Sequence, residues 1–166
     1  MRALSTEIGL LWLRVTLGLM MLFGHGWGKL ERLLGINTER PASFGDGFLF
    51  GGEIDFALAA ISETVFAALL ILGLATRLAA IPLIVTMSVA AFMVHAADPL
   101  FLQPARIDGQ AVYLVGKEFA LLFLTGFVAI ALLGPGKFAL DTFAGPLTRK
   151  LWSDRQQNRK RKNKKK

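Results

Sequence analysis

The chain has 166 residues, 54% of them hydrophobic, and a mean hydropathy of +0.51. That excludes an ordinary water-soluble domain, whose helices return polar residues every few positions. The absence of cysteine excludes disulfides, thiolate metal sites and thiol redox chemistry, and His25 and His95 are the only histidines a metal or haem could use. The formal charge of +7 is not a nucleic-acid signal, because ten of the nineteen Lys and Arg lie between Arg149 and Lys166 and no aromatic follows Trp152.

Four apolar runs predict an all-α integral membrane four-helix bundle. The first spans about 8–27 and closes on Gly24-His25-Gly26-Trp27-Gly28-Lys29; with no small-residue cleavage site behind it, it reads as a retained span and not a removed signal. Residues 30–52 hold Glu31, Arg32, Glu39, Arg40, Pro41 and Asp46 and read as an exposed loop, with room for a short surface helix. The second span, about 54–74, passes through a short turn into the third, about 78–97, as an antiparallel hairpin. Pro82 is expected in the first turns of the third span, where a missing amide hydrogen costs least, and Asp98-Pro99 ends it. A loop with Pro104, Arg106, Asp108 and Gly109 leads to a fourth span, about 113–133, stopped by Gly134-Pro135-Gly136.

Residues from Lys137 to Trp152 read as a segment lying in the interface, and 147–166 as a basic, disordered tail beyond a transmembrane domain of residues 1–146. Arg2, Arg77, Lys137 and the tail fall on one side of a four-span chain, which places both termini in the cytoplasm and the chain in a cell membrane, the bacterial cytoplasmic membrane. Attraction of the tail to anionic lipids supports that orientation.

Charged side chains within spans cost about 2.5–3.5 kcal/mol each and so need a partner or a purpose. Arg14, Gly18, Met21 and His25 share a face of the first helix, and Glu53, Phe56, Ala60, Glu63 and Ala67 a face of the second, which makes Arg14 and Glu63 natural partners. Ser88, Phe92 and His95 align on the third helix, and Glu118, Leu122 and Thr125 on the fourth, so His25, His95, Lys117 and Glu118 gather in the outer half. A late histidine followed by a carboxylate in the next span occurs twice, a weak internal echo. Structural roles stay open for each: a buried pair fixing helix register, histidines capping helix ends, a lysine snorkelling to the surface.

The functional reading is one cavity entered sideways from lipid by a quinone or a similar lipophilic redox molecule. Its candidate catalytic groups are Glu63, His25 and Glu118, and its candidate binding groups are Arg14, His25, Lys29, Glu63, His95, Lys117 and Glu118. No metal site or covalent cofactor is expected. Lacking thiols and a flavin or nucleotide fingerprint, the chain needs a redox protein partner for electrons, unless His25 and His95 face each other across a haem. The competing readings are a non-enzymatic membrane scaffold and a small-solute carrier, either of them free to form a homo-oligomer.

Arg14 with Leu17-Gly18, the run from His25 to Lys29, Glu63, Leu72-Gly73-Leu74-Ala75-Thr76-Arg77, His95, Glu118 and the run from Gly134 to Asp141 carry a family likeness. Over most of residues 8–146 the chain resembles DoxX-type membrane proteins. The resemblance implies a four-span bundle and a kinship with the small subunit of thiosulfate:quinone oxidoreductase, in a family whose members also serve redox stress and whose remote relatives act in protein trafficking.

Overall fold

The computed structural model describes residues 3–107, 110–114 and 116–142. Among the described residues the regular structure is helical apart from one small hairpin. Four rods follow in order: α1 Leu4–Leu33, α2 Gly52–Leu72, α3 Thr76–Val94 and α4 Glu118–Leu133. Between α3 and α4, β1 (Gln103–Ile107) pairs antiparallel with β2 (Gln110–Leu114), Gln103 opposite Leu114 and Ile107 opposite Gln110.

Two boundaries and the place of one proline differ from the sequence expectation. Helix α1 runs on to Leu33, where an exposed loop was expected; Trp27 Nε1 donates to Glu31 Oε1 at 2.8 Å, one turn away, and ties that last stretch together. Helix α4 begins at Glu118, and Tyr113 belongs to β2. The run Ala111-Val112-Tyr113-Leu114 is short and apolar, a pattern that fits a strand as well as a helix. Pro82 is the seventh residue of α3, past the first turn, so the Leu78 carbonyl receives no amide hydrogen from it.

Helices α1, α2 and α3 are each long and apolar enough to cross a membrane, and α4 is a shorter apolar helix of 16 residues. At 1.5 Å per residue, 19 to 30 residues cover about 28–45 Å, against a hydrocarbon core of about 30 Å. Large apolar side chains cover the outer faces, among them Trp12, Leu78, Ile81, Leu122 and Leu132. A surface of that kind belongs in lipid, and the protein is a membrane protein.

Helix α1 packs on α2, α3 on α4, and α4 back on α1. Met21, Ala67, Leu70, Ala80, Leu83, Met87, Phe123, Phe127 and Ile130 form the shared core. The start of α1, the α2–α3 turn and the end of α4 meet at one end of the molecule. The ends of α1 and α3, the start of α2 and the start of α4 meet at the other. Residues 143–166, which carry the basic tail and most of the interfacial segment, lie outside the described residues.

Candidate functional site

The expected Arg14–Glu63 pair does not form. Arg14 is 2% exposed, and its Nη1 and Nη2 donate to the carbonyls of Pro135 and Phe138, both at 2.9 Å. Its planar fork thus holds the turn that follows α4. Two carboxylates complete this clasp. Glu7 Oε2 accepts the Lys137 amide at 2.7 Å, and Asp141 accepts the amides of Ala75 at 2.6 Å and Thr76 at 2.8 Å, capping α3 from a distance in sequence. Burial alone would raise the Asp141 pKa, but the amides of Thr76 and Ala75, with Arg14 nearby, hold it below the usual carboxylate range. Gly73 sits at φ 69°, where a side chain would run into the Arg14 guanidinium. The Leu72–Arg77 and Gly134–Asp141 runs therefore build one structural joint.

At the opposite end lies a cavity of about 350 Å³ walled by all four rods and by the loop between α1 and α2. Each of α1, α2 and α3 makes a π-turn there: Leu22–Gly26, Ser62–Phe66 and Ala90–Val94. A π-turn inserts one residue and rotates everything after it by about 100°, and such turns concentrate at functional sites. The first contains His25, the second Glu63, and the third delivers His95. The α1 and α2 turns touch: a Cβ on Gly26 would collide with the Glu63 carbonyl, so only glycine lets the two backbones close.

Glu63 is 2% exposed, and Lys29 Nζ donates to both of its carboxylate oxygens at 2.5 Å. This is the partner that replaces Arg14. The π-turn in α1 swings the later residues off the face expected from an ideal helix, carrying Lys29 onto α2 and leaving His25 exposed while Arg14, Gly18 and Met21 are buried. The His25 ring stands edge-on to Phe123 at 5.6 Å, on the α1–α4 side of the cavity. His95 Nδ1 lies 2.6 Å from Asp98 Oδ2, a bond that fixes the ring and leaves Nε2 to meet a ligand.

The loop roofs the cavity with Phe44, Phe48, Leu49 and Phe50. Asp55, in the first turn of α2, accepts the amides of Phe48 at 2.5 Å, Leu49 at 2.9 Å and Phe50 at 3.1 Å, which latches the roof to the bundle. Phe44 packs on Phe56 and lies 5.9 Å from Lys29 Nζ, within cation–π range. These residues were not singled out in the sequence. The signal present there is the alternation of Phe44, Phe48 and Phe50 with four glycines before an acidic helix start.

Of the residues singled out as candidates, His25, Lys29, Glu63 and His95 line this one cavity, while Arg14 lies in the clasp. Lys117 Nζ donates to the Ala96 carbonyl at 3.0 Å, and Glu118 Oε1 accepts the Leu102 amide at 3.3 Å. Both hold the α3–α4 connection at the cavity mouth, and neither is among the lining residues. The face of α4 that carries Leu122 and Thr125 is exposed, and the bundle is served by Ala120, Phe123, Phe127 and Ile130.

The arrangement can bind a largely apolar molecule and present to it a buried ion pair, one free imidazole and one imidazole backed by a carboxylate. Such a set can donate hydrogen bonds and exchange protons. A family model, DoxX, matches residues 9–96, a stretch that contains Arg14, His25, Lys29, Glu63 and His95. Comparison with curated proteins and with solved structures gives no match.

Proposed function

The chain belongs to the DoxX family, and from that premise and the cavity we propose that it is a membrane subunit that binds a quinone, or a similar lipophilic redox molecule, and works with a redox partner. The observation that carries the reading is the Glu63–Lys29 pair set in an aromatic and aliphatic cavity with His25 and His95. A cavity of about 350 Å³ lies within the usual range for small-molecule sites, about 300–1,000 Å³. A quinone ring offers two carbonyl acceptors, and its reduction to the quinol takes up two electrons and two protons. Lys29 and the imidazoles supply donors, while Glu63 and His95 are placed to pass protons. The electrons come from a partner protein, since a chain without cysteine carries no thiol couple of its own.

In this proposal α4 crosses the membrane with the other three rods. Its 16 residues cover about 24 Å, and the Gly134–Asp141 turn and the β1–β2 connection complete the crossing at either end. The clasp end, with Arg77 and Lys137, faces the cytoplasm, and the cavity opens in the outer half of a bacterial cytoplasmic membrane. The test is to purify the protein in mild detergent and identify the lipophilic compounds extracted with it. A quinone that co-purifies with the protein and is depleted from Glu63→Gln and His25→Ala supports the proposal. Absence of quinone, with unchanged recovery of protein partners by both variants, favours a scaffold instead.

A further inference from the structure

Resting on the quinone-type reading of this cavity, we propose that its ligand enters from the lipid through a lateral portal between α2 and α3, and that the portal holds an apolar chain attached to the ligand's ring.

Three observations converge on that gap. The first is the way α2 and α3 diverge. Their close packing runs through Ser62–Leu72 of α2, while Gly52–Ile61 packs on α1 with no comparable packing on α3 among the described residues. The two helices are joined at the tight Gly73–Ala75 turn and part beyond Ser62, at the level of the cavity.

The second is the character of the rim. Leu58 on α2 and Val85 on α3 both line the cavity and are 51% and 53% exposed. A side chain that faces an internal cavity and the outer surface together marks an opening. Ile81 and Ile54, also exposed, continue this surface along the two helices. An opening bordered by aliphatic side chains in a membrane-embedded face leads to hydrocarbon and not to water.

The third is that three other sides are tied by bonds or contacts, whereas the α3–α4 mouth, with Val94 and Phe119 also lining and exposed, is bridged by Lys117 Nζ to the Ala96 carbonyl. The loop roof is latched by three amide bonds to Asp55. On the α1–α4 side the His25 ring stands edge-on to Phe123, and on the α1–α2 side Gly26 meets the Glu63 backbone. Glu63 stands on α2, one of the two helices that border the gap, so a ring bonded to the Lys29–Glu63 pair lies beside it. The ligand class is therefore a polar ring on a long hydrocarbon chain, with the ring at Lys29–Glu63 and the chain between Leu58 and Val85.

The experiment compares two probes on the full chain in lipid nanodiscs: a benzoquinone with a decyl chain and the same ring without one. The Leu58→Trp/Val85→Trp variant is expected to bind the decyl probe at least tenfold more weakly at equilibrium, while the tail-less probe keeps its affinity within twofold of the unsubstituted protein and only enters more slowly. Retained binding of the small probe also shows that the variant is folded. Leu58→Ala/Val85→Ala should speed exchange of the decyl probe. The portal is overturned if the tryptophan pair leaves the decyl probe unaffected, or weakens both probes equally while Leu58→Ala/Val85→Ala leaves decyl exchange unchanged. Binding of neither probe by the unsubstituted protein overturns the quinone reading itself, and the portal with it.

Discussion

Replacing Lys29 by Met removes the cation bonded to both oxygens of a carboxylate that is 2% exposed. Breaking a buried pair from one side costs about 3–5 kcal/mol, because the remaining charge keeps its desolvation penalty and loses its attraction. Lys29 itself retains 18% exposure, so the lower end, about 3 kcal/mol, is expected. In a chain of this size each kcal/mol moves the melting midpoint by roughly 2–4 °C, which gives a fall of about 6–12 °C. Lys29→Met/Glu63→Leu removes the stranded charge along with its partner, and replacement of a whole pair by apolar side chains is often neutral. Thermal unfolding followed by circular dichroism in one detergent should thus place the double variant within about 3 °C of the parent and well above the single one. A single variant that melts with the parent would refute the claim that Glu63 is buried against Lys29. A double variant as unstable as the single would show that the loss comes from packing and not from charge.

Arg14→Lys keeps the charge but cannot hold two carbonyls with one planar fork. It should cost roughly 2–3 kcal/mol in the same assay while leaving quinone binding unchanged, since Arg14 lies in the clasp and not in the cavity. Asp141 has its pKa depressed on folding, so its contribution is present above the unfolded value, near 3.9, and is lost as the pH falls through the lower folded value. A pH series of melting midpoints should therefore show a steeper acid decline in the parent than in Asp141→Asn; parallel curves would contradict the capping role. Asp55→Asn weakens the latch on Phe48, Leu49 and Phe50, and limited proteolysis should cut within residues 34–51 several-fold faster than in the parent.

The apolar segments were legible because lipid imposes length and composition together, and the polar ones because charge in a span stands out. His25, Glu63 and His95 were found that way and do line one cavity. The Arg14–Glu63 pair fails on depth and not on face: Arg14 and Glu63 are both buried on the faces a regular helix gives, with Met21, Phe56, Ala60 and Ala67, but they stand at opposite ends of the bundle. The α1 π-turn then takes His25 off the buried face and brings Lys29 to Glu63, and nothing in Leu22–Gly26 or Ser62–Phe66 distinguishes a π-turn from a regular one by residue type. Arg14 was recognised as needing a partner, but its partners are backbone carbonyls more than 120 residues away, which leave no mark in side-chain patterning. Asp55 and the phenylalanines of the roof were missed for the same reason, because a loop closed by carboxylate–amide bonds has no period to read. Glu118 immediately precedes Phe119 and Ala120 of the cavity wall, yet its carboxylate serves the Leu102 amide.

The central claim is that a quinone-like ring occupies the cavity beside Glu63. Its most direct test is photolabelling of the membrane-embedded protein with an azido-quinone, followed by mapping of the labelled peptides by mass spectrometry. Label is expected on residues 44–63, 85–95 and 116–123, suppressed by excess unlabelled quinone and lost in Lys29→Met/Glu63→Leu. Label confined to the clasp around Arg14 and Phe138, or spread over the lipid-facing residues without competition, would contradict it.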